Sequence, residues 1–161
     1  MKLYKFENVS DDTSIFAKNK LKEILQQDYN YKLETLEYNK YNKPYIPNNP
    51  LFFNISHSRN TVVIVIDEQE IGIDIEYFDR FNLKMLTKIF NKKEVEQINN
   101  SLNPKKEYSK LWCTKESYLK CIGTGIKKDM KNVLDNTSSY QFIYEETEEY
   151  CIVICKKSER N

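Results

Sequence analysis

Two carboxylates lie two positions apart in residues 71–76 (IGIDIE), a segment in which isoleucine alternates with other residues. A period of two predicts a β-strand with the isoleucines on one face and Gly72, Asp74 and Glu76 on the other. Adjacent carboxylates raise each other's pKa unless a cation lies between them, and Mg²⁺ prefers oxygen ligands of this kind. The segment therefore predicts a magnesium site, with a solvated outer face of a half-buried sheet as the alternative.

A second group of polar side chains lies in residues 112–120 (WCTKESYLK). Helical spacing puts Trp112, Glu116 and Lys120 on one face, with Lys115 beside them. Trp112 would then pack against the sheet while Glu116 points into a cleft. The alternative is an exposed Glu–Lys pair, which stabilises a helix by only about 0.2–0.5 kcal/mol.

Two basic candidates precede the carboxylates in the sequence. His57, the only histidine, stands between two serines directly after the apolar run 51–55. Hydroxyls and backbone N–H groups around it would form an anion-binding corner, and a structural histidine is the alternative. Lys43 stands before Pro44 in the loop that precedes this run, where a solvated lysine is the alternative.

Strands and helices in mixed order must position these side chains, so the expected fold class is α+β. Strands are expected at residues 2–7, 51–55, 61–66, 71–76, 140–144 and 150–156, the first at a sheet edge and the last two as an antiparallel pair. Residues 29–49 predict a short strand and then an irregular loop. Helices are expected at residues 13–27, 83–90, 92–100 and 104–122.

Several helix ends carry recognisable signals. The first helix has an apolar stripe that includes Ile15. Asn91, with Glu94 three residues later, has the pattern of a capping box. The Asn-Pro pair at 103–104 begins the longest helix, and Gly123 is well placed to end it.

The composition is that of a globular chain. Hydrophobic residues make up 40% and charged residues 30% of 161 residues, enough for one domain or two small packed lobes. Basic and acidic residues nearly cancel, 25 against 24, which gives no support for broad nucleic-acid binding. The N-terminal residues lack the apolar segment of a signal peptide and no apolar run approaches a membrane span, so the cytoplasm is the expected location.

The four cysteines, Cys113, Cys121, Cys151 and Cys155, form no CxxC pair and lie far in sequence from His57. A zinc site is therefore not expected. Cys151 and Cys155 would share one face of a strand, too far apart along it to form a disulfide comfortably. Reduced thiols in a cytosolic protein are the expectation.

The order of these motifs resembles the 4'-phosphopantetheinyl transferase superfamily, and most of all its surfactin-synthetase-activating type. The matching stretches are NKPYIP (42–47), FNISHS (53–58), IGIDIE (71–76), FNKKE (90–94) and WCTKESYLKCIGTGI (112–126). Each motif alone is weak, whereas all of them in this order are a specific signal. The resemblance covers residues 41–126 well and extends more loosely to the final strand.

The resemblance implies a role for each matching residue. Asp74, Glu76 and Glu116 match the family's magnesium ligands, and Glu116 also matches its candidate general base, with Lys120 beside it. Glu94 matches another recurrent glutamate of the family. The residues implied as coenzyme A contacts are Lys43, Pro44, His57, Ser58, Lys115 and Lys120.

The resemblance also implies a fold and a reaction. The fold would be two small pseudo-symmetric α/β lobes, here residues 1–67 and 68–161, with the first lobe shortened. The reaction would use Mg²⁺ and move the 4'-phosphopantetheine arm of coenzyme A onto a serine of an apo-acyl or peptidyl carrier protein, releasing 3',5'-ADP. Residues 7–15 lack the basic residues with which longer relatives hold the nucleotide. A second subunit would be able to complete the short lobe.

Two other functions compete with this one. The first is a non-catalytic accessory protein of the same descent that binds coenzyme A or the carrier, and retention of all four of Asp74, Glu76, Glu116 and Lys120 disfavours it. The second is a small metal-dependent phosphohydrolase, which the motif order disfavours. A candidate dock for an acidic carrier, with a solvated helix face as the alternative, is formed by Lys84, Lys88, Lys92 and Lys93.

Overall fold

The structure, a computed structural model, describes residues 1–125 and 129–158. Its strands are β1 (Lys2–Phe6), β2 (Glu37–Tyr38), β3 (Pro44–Tyr45), β4 (Phe52–Ser58), β5 (Thr61–Asp67), β6 (Ile71–Tyr77), β7 (Tyr140–Glu146) and β8 (Tyr150–Lys157). Its helices are α1 (Thr13–Tyr29), α2 (Leu83–Ile89), α3 (Lys92–Asn100) and α4 (Pro104–Ile122), with a 3₁₀ turn at Phe78–Arg80. Ile126, the last residue of the C-terminal motif, lies outside the described residues. Within the part that is described, no helix is long and apolar enough to cross a membrane.

Two antiparallel three-stranded sheets form the framework, in the orders β1-β5-β4 and β6-β8-β7. Alternation along β5 sends Val63 and Val65 towards the isoleucines of β6, so the two sheets share a buried core. The opposite face of β5, which includes Ile64, packs against Leu21 and other buried residues of α1. Helix α4 covers the outer face of the second sheet. The fold is therefore α+β, as the sequence predicts.

The chain passes from the first sheet to the second between Asp67 and Ile71. This point agrees with the boundary expected between two lobes. The sheets bury their facing sides against each other, however, and have no separate cores on those sides. The division into lobes at residues 1–67 and 68–161 stays a prediction.

Most of the predicted elements form, and their end signals act as expected. The capping box is present in full, because the Asn91 side chain accepts from the Glu94 N–H and the Glu94 side chain accepts from the Asn91 N–H. Gly123 ends α4 with a φ of 68°, a left-handed conformation that glycine adopts without strain. Asn103, whose side chain accepts from the Lys106 N–H, caps the start of α4, so both ends of the helix that carries Glu116 are marked in the sequence.

Three local expectations are wrong. Strand β4 continues through Ser58, so His57 lies within a strand and does not follow one. Every residue of β6 is buried, which excludes the solvated sheet face as an account of Asp74 and Glu76. Ile15, assigned to the buried stripe of α1, is 61% exposed.

Gly72 is the point at which α4 meets β6. A Cβ atom placed on Gly72 would lie 2.1 Å from the carbonyl oxygen of Ser117 and 2.3 Å from the backbone nitrogen of Cys121. The backbone of α4 fills the space that the missing side chain leaves beside the carboxylates. The missing side chain lets the helix lie directly on the strand.

We predict that Gly72→Ala destabilises the protein strongly, because the new methyl group meets backbone atoms that can move only if the helix moves. Overpacking of this kind costs about 1–3 kcal/mol and occasionally more. Urea unfolding would measure the change. Gly125→Ala is the matched control, since its φ is 64° and the nearest atom to its new Cβ lies at 4.0 Å. Its cost should be limited to left-handed strain of about 1–2 kcal/mol, and an equal or smaller loss in Gly72→Ala would contradict the prediction.

Candidate active site

The two carboxylates of β6 are held by serines of β4. Ser56 Oγ donates to Asp74 Oδ1 over 2.8 Å, and Ser58 Oγ donates to Glu76 Oε1 over 3.0 Å. Both carboxylates are buried. Ser56 and Ser58 lie two residues apart, and so do Asp74 and Glu76. The polar face of β4 therefore matches the acidic face of β6. The carboxylates are therefore fixed before any ligand binds.

Glu116 joins this pair from α4. It is 7% exposed, and its Oε1 atom is buried without a hydrogen-bond partner among the described residues. Burial raises the pKa of Glu116 to about 7, helped by the charges of Asp74 and Glu76 and opposed by Lys120. A carboxyl group with this pKa holds and releases a proton near neutral pH.

Lys120 lies one helical turn beyond Glu116 and connects three elements. Its Nζ atom donates to Asp74 Oδ1 over 2.6 Å and to Ser56 Oγ over 3.0 Å. The ammonium group thus bridges α4, β6 and β4. Lys120 thus contacts a β6 carboxylate directly, and Glu116 lies close enough for the charges of Asp74 and Glu76 to raise its pKa, while a shared functional face of Glu116 and Lys120 stays a prediction.

A cleft of about 250 Å³ opens beside Glu76. Arg80 lines it and donates from Nη1 to Glu76 Oε2 over 3.1 Å. Burial raises the pKa of Glu76, even though Arg80 and Ser58 lower it. Trp112 also lines the cleft, and it packs with apolar residues of α2 and α3, not against the sheet as predicted.

The donor set of this site suits a hard divalent cation. Carboxylate and hydroxyl oxygens are the ligands that Mg²⁺ prefers, and the unpartnered Glu116 Oε1 is a buried acceptor that a cation would satisfy. Across the described residues, no group of three or more His, Cys, Asp or Glu is already arranged as a metal centre. Lys120 and Arg80 neutralise Asp74 and Glu76 in this arrangement. The residues therefore fit a magnesium ion chemically, and its coordination geometry stays a prediction.

Lys115 points away from this cluster. Its side chain is 0% exposed, and its Nζ atom donates to Glu94 Oε1 over 2.8 Å and to the Met130 carbonyl over 2.8 Å. The ammonium also lies 5.6 Å from the centre of the Phe90 ring. Lys115 and Glu94 thus tie α4 to α3. The contact between Lys115 and coenzyme A stays a prediction that finds no support in this position.

Lys43 lies at the C-terminal end of α4, beyond Lys120. Its Nζ atom donates to the Cys121 carbonyl over 2.8 Å, at the helix C-terminus, where the helix dipole favours a cation. Burial lowers the pKa of this lysine. The neighbouring Pro44 lies in β3 and is half-buried. The structure does not bring either residue into contact with the carboxylates.

His57 is exposed at the N-terminal end of α1. Its Nδ1 atom lies 3.2 Å from Thr13 Oγ1. The first free N–H groups of α1, at Ser14 and Ile15, donate to the carboxylate of Asp12. The two serines that flank His57 point to the opposite face of β4, towards the carboxylates of β6. The predicted anion-binding corner, in which these hydroxyls surround the histidine, does not form.

Sequence reasoning missed the supporting residues on β4. Besides the two serines, Asn54 accepts from the N–H of Ile73 through its Oδ1 atom over 3.0 Å. Asn54, Ser56 and Ser58 recur every second residue, which is a strand-period polar face. The apolar run ends at Ile55, so the sequence pattern alone does not extend the strand over the serines that share this face.

The fold and the site define a class of protein: an α+β chain in which a strand and a helix bring three buried carboxylates and a lysine together. A family model described as the 4'-phosphopantetheinyl transferase superfamily matches residues 70–159, more than half of the chain. The chain belongs to this superfamily. The matched region contains Asp74, Glu76, Glu116 and Lys120.

Several curated proteins resemble the chain. It is 28% identical over 156 residues to the 4'-phosphopantetheinyl transferase gsp of Aneurinibacillus migulanus, covering 93% of the chain and 65% of that protein. It is 37% identical over 90 residues to the 4'-phosphopantetheinyl transferase Sfp of Bacillus subtilis (strain 168), covering 54% of the chain and 40% of that protein. The chain thus spans less than two thirds of the length of these relatives.

We predict that Lys115→Met lowers the free energy of unfolding by about 3–5 kcal/mol, because it leaves the Glu94 carboxylate buried and unpaired. Urea denaturation would measure the loss. Lys110→Met on the same helix is the control, since Lys110 pairs with Glu146 at the surface and such pairs contribute about 0–1 kcal/mol. Losses of similar size in the two variants would contradict a buried structural ion pair.

We also predict a specific pH dependence for the metal-free protein. Between the ordinary pKa of 4.5 and the raised value of about 7, the unfolded state loses the Glu116 proton while the folded state keeps it. The free energy of unfolding therefore falls as pH rises through this window, by on the order of 3 kcal/mol. In Glu116→Gln the fall should become smaller by this amount, with the raised pKa of Glu76 accounting for what remains, and the full fall should persist in the exposed control Glu148→Gln. Parallel curves for all three proteins would rule out a raised pKa at Glu116.

Proposed function

We propose that the chain transfers the 4'-phosphopantetheine arm of coenzyme A to a serine of an apo-carrier protein, with Mg²⁺, and releases 3',5'-ADP. Membership of the superfamily supports the general reaction. The observation that carries the proposal is the buried Glu116 carboxyl, which has an unpartnered oxygen and a pKa of about 7 and lies beside Asp74 and Lys120. We further propose that the reaction takes place in the cytoplasm.

Asp74, Glu76 and Glu116 would hold the magnesium ion. When bound, the ion supplies positive charge to the diphosphate of coenzyme A and so favours departure of the nucleotide. Lys120 and Arg80 already lie against two of these carboxylates, so positive charge is available at the site from the chain itself. The serines of β4 keep the carboxylates in place during the reaction.

Glu116 is the proposed general base. The carrier serine must lose its proton as its oxygen forms a bond to phosphorus and the bond from phosphorus to 3',5'-ADP breaks. Burial makes Glu116 a stronger base than an exposed glutamate, with a pKa of about 7 in the metal-free protein, and it would accept the proton either directly or through a water. Lys120, at the same site, offsets negative charge that develops on the diphosphate oxygens.

The remaining coenzyme A contacts are proposals from the family resemblance. His57 is exposed and has the surface for a phosphate contact. Ser58 would act indirectly, through its hydrogen bond to Glu76. To bind a phosphate oxygen, Lys43 would have to give up its hydrogen bond to the Cys121 carbonyl. Pro44 would restrict the backbone conformations available to Lys43. The apo-carrier and coenzyme A are the proposed partners, and oligomerisation that completes the first lobe stays a prediction.

One observation favours the accessory-protein alternative. The carboxylate of Asp12 occupies the free N–H groups at the start of α1, close to His57. A negative charge there opposes a phosphate at the histidine. Weak binding of coenzyme A would leave a protein that binds carriers without efficient transfer.

Transfer to a panel of apo-carriers tests the function. Mass spectrometry should detect the added phosphopantetheine when the chain is incubated with coenzyme A, Mg²⁺ and each carrier. Asp74→Asn and Glu116→Gln should each lower the rate by ~10²-fold or more, because each removes charge from the reacting groups. The exposed variant Glu148→Gln should keep the rate, and chelation of Mg²⁺ should abolish transfer.

The possible outcomes separate the two candidate functions. Binding of coenzyme A or of a carrier in calorimetry, with no transfer to any carrier, would favour the accessory protein. Undiminished transfer in both Asp74→Asn and Glu116→Gln would reject the roles assigned to these residues while leaving the overall activity intact.

A further inference from the structure

The four cysteines lie in two pairs, each of which joins α4 to β8. Cys113 of α4 and Cys151 of β8 approach to 3.7 Å between their sulfur atoms. Cys121 of α4 and Cys155 of β8 form the second pair, because Cys121 packs on Gly72 and Cys155 lies opposite Gly72 in the strand register. All four cysteines are buried and free. The pairing was not visible in the sequence, where only the shared face of Cys151 and Cys155 was expected.

The second pair exists because of Gly72. In the register of β6 with β8, Gly72 lies opposite Cys155. The backbone nitrogen of Cys121 lies 2.3 Å from the position that a Cβ of Gly72 would occupy. The side chain of Cys121 therefore lies beside Cys155, the residue that pairs with Gly72 across the two strands. The same close approach of α4 to β6 that positions Glu116 thus brings the residues Cys121 and Cys155 side by side.

The two pairs differ in their electrostatic surroundings. The thiol of Cys155 lowers the pKa of Cys121 by donating a hydrogen bond, against the effect of burial, and Lys43 lowers it further. Glu70 opposes and Lys157 assists this effect. Burial in an enclosed site instead raises the pKa of Cys113. Cys121 is thus the better nucleophile, with a partner thiol ready beside it.

The two pairs also differ in their position along the helix. Cys121 is the next-to-last residue of α4, whereas Cys113 lies in its middle. Cys121 is 1% exposed, so a reagent reaches it only when the last turn opens. Helix ends open at a much smaller free-energy cost than helix interiors. The second pair is therefore the more accessible of the two on the timescale of an oxidation experiment.

We propose that Cys121 and Cys155 are a redox-active dithiol, which hydroperoxides oxidise to a disulfide that joins the C-terminal turn of α4 to β8. This modification site does not depend on the proposed transferase activity. Its chemistry needs only the two thiols and a peroxide.

The oxidation proceeds in two balanced steps. The Cys121 thiolate attacks the outer oxygen of the peroxide, the O–O bond breaks, and Cys121 becomes a sulfenic acid as hydroxide or alkoxide leaves. The Cys155 thiol then attacks the Cys121 sulfur, the S–S bond forms, and the sulfenic oxygen leaves as water with the Cys155 proton. The two thiols together lose two electrons, and one peroxide is reduced.

Closure of the disulfide would restrain the end of α4. Lys120 precedes Cys121, and Lys43 holds the Cys121 carbonyl, so the restraint acts next to both basic side chains. A cross-link also reduces the conformational freedom of the unfolded chain. The oxidised protein should therefore unfold at a higher temperature than the reduced protein.

Peptide mapping of the peroxide-treated protein tests the proposal. The reduced full chain is treated with hydrogen peroxide, remaining thiols are alkylated after unfolding, and the digest is analysed by mass spectrometry. The expected product is a peptide pair joined through Cys121 and Cys155, with Cys113 and Cys151 alkylated. Recovery of Cys121 and Cys155 as alkylated thiols, or a Cys113–Cys151 disulfide that forms first, would overturn the proposal.

Two variants sharpen the assignment. Cys155→Ser should stop the reaction at a Cys121 sulfenic acid that dimedone traps, because the resolving thiol is gone. Cys151→Ser, the matched control in the same strand, should still form the disulfide between Cys121 and Cys155. Absence of dimedone adduct on Cys121 in a folded Cys155→Ser protein would contradict the role of Cys121 as the attacking thiol. If either variant fails to fold, the peptide map of the peroxide-treated protein without substitutions still decides the proposal.

Discussion

The direct packing of α4 on β6 at Gly72 is the constraint on which the rest of the structure depends. Only a residue without a side chain allows the helix backbone to lie this close to the strand. That distance brings Glu116 and Lys120 over Asp74, and it also brings Cys121 to Cys155. The carboxylate cluster and the dithiol are two consequences of one close approach.

The cluster concentrates charge where the protein has little water to stabilise it. Burial raises the pKa of Glu76 and Glu116, so their ionised forms lower the stability of the fold. Lys120 and Arg80 offset part of this charge. A bound cation would relieve this unfavourable electrostatic energy. A site of this kind suits phosphoryl transfer, in which positioning and charge neutralisation carry most of the catalysis.

Adjacent residues on α4 serve different purposes because a helix turns by roughly 100° per residue. Glu116 faces the β6 carboxylates, whereas Lys115 faces α3 and is fully enclosed with Glu94. Glu116 thus belongs to the carboxylate cluster, and its neighbour Lys115 fixes the opposite side of the helix. The buried ion pair of Lys115 with Glu94 keeps α4 in place next to a cluster of partly unbalanced charge.

Local patterns in the sequence were enough to predict the α+β class, the capping box of α3, the glycine that ends α4, and the sharing of one strand face by Asp74 and Glu76. These features depend on residues close together in the chain, whose periodicity and backbone preferences act locally. The tertiary structure alone decided that Ser56 supports Asp74, that Lys115 lies away from the cluster, and that the cysteines pair between α4 and β8. These outcomes depend on strand register and on the distance between packed elements, which residues far apart in the sequence determine together.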